Sequence, residues 1–237
     1  MTTAPASNSD AAYRHIRAKL AGGEMEPGAR MSNRRLAKEL NISFIPVREA
    51  LGRLESEGLV QHRGGEGAFV ADPSQEEMVD LYEVREALEC FALAKVAGRL
   101  DTKRIDQLRE ANQRIRDEVD SAMRNLGPRL MVSRDVAERV ATFDAHFHLL
   151  ILQSAGNRRI LKIMEDLRIL ARIFARRFAR RSADYYPTVV STHEQIVDAI
   201  EAGDAAAAQR LLRDHLRHGL EEKLEAFRAS RLETGDA

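Results

Sequence analysis

The change of pattern at Asp72-Pro73-Ser74 constrains this chain more than any other feature. Before it, apolar residues switch period within a few tens of residues. After it, a 3.6-residue period runs with short breaks to about residue 229, with no strand signal. Proline stops a strand and serine can cap a helix. The joint therefore divides the chain into a small mixed domain, 1–72, and an all-helical domain, 73–237.

The first domain reads helix, helix, helix, then two short strands. Tyr13, Ile16 and Leu20 sit at helical spacing in the stretch from Ala11 to Ala21, which stops at Gly22 and Gly23. Ser32 caps a second helix carrying Leu36, Ala37 and Leu40, and Asn41 ends it. Ser43 is a good cap for a third, whose Val47, Ala50, Leu51 and Leu54 make one apolar stripe. Leu59 to Arg63 and Ala68 to Ala71 flank Gly64-Gly65-Glu66-Gly67 and predict a hairpin. A tight turn between the second and third helices followed by a basic hairpin is a winged helix-turn-helix, a fold that lays its third helix in the major groove of DNA.

In the second domain the periodicity predicts helices near 74–98, 101–126, 133–154, 157–182, 187–202 and 204–229. The breaks fall at Gly98, Gly127-Pro128, Gly156-Asn157, Pro187 and Gly203. Short links between long helices imply antiparallel neighbours, hence a bundle. The fold class is thus mostly α, a winged helix-turn-helix followed by an antiparallel all-helical bundle.

Bulk properties narrow the class further. A single cysteine, Cys90, rules out an internal disulfide. No apolar run approaches the roughly 18 residues of a membrane span, and the first ten residues lack a targeting pattern, so the expected location is the cytoplasm, with no membrane partner. Net charge is zero. Residues 1–71 hold ten Lys and Arg against eight Asp and Glu, a slight excess whose members bunch on the two central helices.

The stretch RLAKELNISFIPVREALGRLESEGLVQHRGGEGAFVA, Arg35 to Ala71, resembles the DNA-binding domain of GntR-type bacterial transcription regulators. The remainder resembles the helical effector domain of their FadR branch, the FCD domain, through LYEVREALE (Leu81 to Glu89), FDAHFHLLILQSAGN (Phe143 to Asn157), His193 and His215. The likeness spans nearly the whole chain.

For the first domain, the resemblance implies that Arg34 and Arg48 meet double-stranded operator DNA, with Arg35 and Arg53 as further candidates. An arginine fork suits phosphate or the acceptor edge of guanine. The other reading of Arg48 is an ordinary surface salt bridge. Where relatives show Ser-Arg-Thr-Pro, this chain has Ser43-Phe44-Ile45-Pro46. Phe44 and Ile45 either press on thymine methyl groups or pack against the preceding helix. Gly65 and Gly67 serve the wing turn, and their bare backbone also suits close approach to a minor groove.

In the second domain, Asp144 and His148 stand four apart, so both reach one spot on a helix face. The resemblance implies that His193 and His215 complete an internal metal site with them. Three nitrogens and an oxygen favour zinc or nickel as the divalent ion, with manganese the third candidate. Octahedral geometry would leave two positions for a small carboxylate effector. His146 projects away from Asp144 and His148. Arg85 faces the cavity in relatives and either grips an effector carboxylate or pairs with Glu89; Arg168 and Arg172 are further cavity candidates. HExxH, GxSxG and phosphate-cradling glycine loops are absent from the sequence. The expected function is a ligand-responsive repressor acting as a homodimer, with a direct metal sensor and a metal-dependent hydrolase as rivals.

Overall fold

The computed structural model describes residues 7–124, 132–177 and 184–234. Two compact units emerge, one of residues 1–73 with 166–177, the other of 74–165 with 178–237.

The first unit contains α1 (Asn8–Gly22), β1 (Arg30–Met31), α2 (Asn33–Leu40), α3 (Phe44–Ser56), β2 (Val60–Arg63) and β3 (Gly67–Val70). Ser7 caps α1 by accepting from the Asp10 amide, and Gly23 closes it in the left-handed conformation. Ala12, Ile16 and Leu20 of α1 are buried, as are Val47, Ala50, Leu51 and Leu54 of α3, against which α1 packs. Burying each of the larger side chains contributes roughly 1.5–3 kcal/mol. Ser32 caps α2 at the Arg35 amide, 3.2 Å away. Asn41 ends it at φ 53°, a conformation asparagine tolerates. Only three residues separate α2 from α3.

Ser43 departs from expectation. It precedes α3 in extended backbone, but its side chain makes no capping hydrogen bond. Pro46, the third residue of the helix, has no N–H to offer where a capping oxygen would look for one. The sheet also has a strand that the sequence pattern does not announce. Its order is β1-β3-β2, all antiparallel, with Arg30 opposite Phe69 and Val60 opposite Val70. Two residues are too few to display an alternation, so β1 is specified by its partner β3. At the wing tip, Gly65 and Gly67 have φ of 76° and 104°, which side-chain-bearing residues rarely adopt.

The second unit is built from α4 (Gln75–Val96), α5 (Thr102–Arg124), α6 (Arg134–Ser154), the start of α7 (Arg158–Arg177), α8 (Tyr185–Glu201) and α9 (Ala205–Thr234). Ser74 and Glu77 form a reciprocal capping box at the start of α4. α8 begins two residues before Pro187, not at it. A proline in the first helical turn costs no hydrogen bond, because those amides have no partner inside the helix. The expected break at Gly127-Pro128 lies outside the described residues, as does the chain from 178 to 183.

Helix neighbours run α4 to α9, α9 to α8, α8 to α5, α5 to α6 and α6 back to α4. Five helices thus close into a ring around a shared interior. Met78, Leu93, Leu108, Ile115, Phe147 and Ile151 fill much of it. At one end, Gly98 follows α4 and donates its amide to the Ile200 carbonyl at 2.8 Å. A side chain on Gly98 would come within 3.1 Å of the Gly203 backbone, so two glycines are needed where these turns touch.

Candidate metal centre and nucleic-acid interface

The outward face of the reading helix is apolar at its start and cationic one turn on. Phe44 and Ile45 are 45% and 60% exposed. Arg34, Arg35 and Arg48 are exposed, and among the described residues no side-chain hydrogen bond or ion pair occupies their guanidinium groups, so Arg48 forms no salt bridge there. Gly52 continues the same face with open space beside it. Arg53 is different. Its guanidinium binds Asp10 at 2.7 Å and lies 4.0 Å from the Tyr13 ring centre, tying α3 to α1. On the wing, Arg63 stacks on Phe69 at 4.4 Å.

Inside the helical ring, Asp144, His148, His193 and His215 each direct one ligand atom to a common point, all within 4.8 Å of one another. α6 supplies the first two from successive turns, α8 the third, α9 the fourth. His215 Nε2 lies 3.2 Å from His148 Nε2 and 3.3 Å from His193 Nε2. Asp144 Oδ1 is 3.5 Å from His193 Nε2 and 3.7 Å from each of the other two. A cation held at 2.0–2.1 Å requires donors about 3.0 Å apart at adjacent octahedral positions, or about 3.4 Å apart in a tetrahedron. These separations fit one ion. The ring of His193 is fully buried and stacks on Phe147, 3.9 Å between centres and 8° from parallel.

Electrostatics give the same answer. Burial and the neighbouring His148 push His215 down to about 3, and burial with His215 holds His193 well below its ordinary value. Both are therefore neutral near pH 7, the form in which imidazole binds metals. Burial alone would lower His148 too, but Glu89 and Asp144 outweigh it and raise it to about 9. Burial would raise Asp144, yet the surrounding imidazoles, His148 foremost, keep it well below the carboxylate range. Two neutral imidazoles and an ionised carboxylate thus converge with His148, whose Nε2 must release its proton before it can bind a cation.

Glu89 is the functional-site residue that sequence reasoning treated only as a possible helix partner of Arg85. It is 1% exposed, and its Oε2 lies 2.7 Å from His148 Nδ1 while its Oε1 accepts from Arg85 Nε at 2.9 Å. Both partners outweigh burial and hold its carboxyl at about 2, Arg85 most strongly. The Arg85–Glu89 pair expected from their spacing is therefore formed. Arg85 keeps its Nη groups without a hydrogen-bond partner among the described residues. Arg168 and Arg172 belong to the segment 166–177 that groups with the first unit. There Arg172 donates to the Ala21 carbonyl at the end of α1, and Arg17 pairs with Asp166 at 2.5 Å. Arg172, a cavity candidate from the sequence, thus uses its Nη1 on a helix terminus. His146 is exposed, as its angular position requires, and His218 faces the Tyr185 ring at 5.3 Å.

Comparison with known proteins matches these features. Residues 8–70 fit the family of bacterial regulatory proteins known as gntR, and residues 80–218 fit the FCD domain. The transcriptional repressor RspR of Escherichia coli K12 is 26% identical over 94% of this chain and 90% of its own length. The gluconate operon transcriptional repressor of Bacillus licheniformis is 25% identical over 80% and 74%. E. coli McbR/YncC shares the fold, with a TM-score of 0.74 at 18% identity over 93% of this chain and 99% of that one. Among the described residues no helix is long and apolar enough to cross a membrane. With one family model over the winged unit and another over most of the helical one, the chain belongs to the GntR family of bacterial regulatory proteins, as an FCD-domain member, and is a DNA-binding transcriptional regulator, not an enzyme.

Proposed function

We propose that this regulator is a repressor whose hold on DNA answers to a small carboxylate bound beside a divalent ion inside the helical ring. The carrying observation is the convergence of Asp144, His148, His193 and His215 on one point, joined through Glu89 to a half-buried Arg85 whose Nη groups have no hydrogen-bond partner among the described residues. The four side chains hold zinc or nickel, the ions that three imidazoles and a carboxylate favour. Bound there, the ion acts as a Lewis acid for an oxygen ligand. Arg85 offers the Nη fork to the same ligand's carboxylate. The gluconate operon repressor, by its name, serves a system concerned with a sugar acid, in keeping with that class.

On DNA, α3 enters the major groove, with Phe44 and Ile45 against thymine methyl groups and Arg48 and Arg34 on phosphate or guanine. Arg35 adds a phosphate contact, and Gly65 and Gly67 let the wing backbone approach closely. Arg53 stands apart, since Asp10 and Tyr13 already engage it. The protein works as a homodimer on a two-fold operator. Val84 and Phe91, seven residues apart on the outer face of α4, are 42% and 54% exposed and supply an apolar patch for a second copy.

The test selects operator DNA from a random pool. It then titrates binding of that DNA with zinc, with chelator, and with a panel of small organic acids on zinc-loaded protein. A carboxylate that releases DNA only from loaded protein supports the proposal. Release or capture by zinc alone, indifferent to every acid, replaces it with a direct metal sensor. A pool that yields no preferred sequence overturns the DNA reading.

A further inference from the structure

We infer that Glu89 is a positioning residue that couples the four-donor cluster to Arg85, so that seating an anion on Arg85 tightens the cluster's hold on its cation. The inference rests on the reading that Asp144, His148, His193 and His215 bind a divalent ion, and it adds how that ion and an effector would sense each other.

One buried carboxylate here serves two masters. Glu89 Oε2 sits 2.7 Å from His148 Nδ1, and Oε1 accepts from Arg85 Nε at 2.9 Å. His148 is the ligand imidazole steered by charge. The 2.7 Å contact of Glu89 with His148 Nδ1 is an ion-pair approach without hydrogen-bond geometry, while the Nδ1 of His193 has no hydrogen-bond partner among the described residues and stacking on Phe147 orients that ring. A carboxylate against Nδ1 keeps the ring proton there and leaves the Nε2 lone pair aimed at the cluster. It also raises the donor strength of that lone pair.

Arg85 draws on the same negative charge. Its guanidinium lies 5.0 Å from the Tyr82 ring centre and its Nη groups have no hydrogen-bond partner among the described residues, so an incoming carboxylate can take the fork in the bidentate way guanidinium favours. To the extent that the ligand replaces Glu89 at Arg85, the full charge of Glu89 acts on His148 and strengthens the fourfold hold. Linkage makes the effect mutual, so the cation raises affinity for the anion by the same factor. A pair that only braced α4 would transmit nothing, because each partner would matter solely through the other.

The test measures zinc affinity of full-length protein by competition with a chromophoric chelator. Glu89→Gln keeps the shape and removes the charge; it should weaken zinc about 10–100-fold, the range expected for partners of metal-binding imidazoles. Arg85→Met removes the competing cation and should tighten zinc, and an unchanged affinity would refute the coupling. If the pair were a brace, both substitutions would leave a buried charge uncompensated and weaken zinc alike. That outcome overturns the inference, as does Glu89→Gln binding zinc within threefold of wild type. A second measurement needs no variant. Nitrogen-15 shifts of zinc-loaded wild type should show His148 protonated at Nδ1, and coordination through Nδ1 instead would refute the arrangement. Wild-type protein that takes up no zinc defeats the metal reading itself, an outcome distinct from equal binding by wild type and Glu89→Gln.

Discussion

Chelation should lower the melting temperature of this protein, and the size of the effect follows from where the four donors sit. They come from three helices, α6, α8 and α9, which lie around one ring. The unfolded chain places those helices' residues far apart, so an ion that needs all four binds the folded state almost alone. Ligand linkage then adds about 2.7 kcal/mol at a free metal concentration 100-fold above Kd. For a chain of this size, each kcal/mol moves the midpoint by about 2–4 °C. Zinc or nickel should therefore raise the midpoint by roughly 5–11 °C over chelated protein.

The assay is far-ultraviolet circular dichroism during heating, with chelator, zinc, nickel or magnesium. Magnesium should give little, because it prefers oxygen donors and keeps its waters. His193→Ala and Asp144→Asn separate the binding term from packing. The fully buried ring of His193 stacks on Phe147, so its truncation opens a hole and lowers the baseline whatever the metal does. The quantity to compare is the increment between loaded and chelated protein, which should vanish in His193→Ala and shrink in Asp144→Asn. Identical midpoints for wild type in chelator, zinc and nickel would refute the reasoning, since a shared site cannot bind usefully without stabilising the fold it requires.

Two further outcomes test the helix caps and the DNA-facing arginine. Ser32→Ala and Ser74→Ala should each cost about 0.5–2 kcal/mol in urea unfolding, because both hydroxyls cap a helix amide. Ser43→Ala should cost less than about 0.3 kcal/mol, since its hydroxyl caps nothing; equal losses at all three positions would contradict the role given to Pro46. On selected operator DNA, Arg48→Ala should either reduce the salt slope by about one if it holds phosphate, or relax one base position at about 1–3 kcal/mol if it reads guanine. An unchanged slope and specificity would remove Arg48 from the interface.

The parts of this fold that showed in the sequence are those carried by local periodicity. The stripe Val47, Ala50, Leu51 and Leu54 fixes which face of α3 is inside, so it also fixes that Phe44, Ile45 and Arg48 are outside. Four-residue spacing brings Asp144 and His148 together and turns His146 away, and all three lie as the helix geometry requires. The missing cap at Ser43 was misjudged from the sequence, where serine before a helix outweighed Pro46, which has no amide to give. β1 was not legible either, because two residues carry no pattern and their pairing with β3 spans nearly forty residues.

Arg168, Arg172 and Glu89 show why the rest stayed hidden. On one continuous helix, α7, periodicity reports a buried stripe without saying what covers it, and the stretch from Asp166 onward groups with the first unit. The sequence alone therefore could not say that Arg172 donates to the Ala21 carbonyl. Glu89 is the inverse case. Its spacing from Arg85 announced an ordinary helix pair, and that pair exists, but its second partner, His148, is nearly sixty residues away on α6. A local rule could find the first contact and had no means of finding the second. What makes Glu89 consequential is that it holds both at once, a property of the closed ring of helices and not of any one of them.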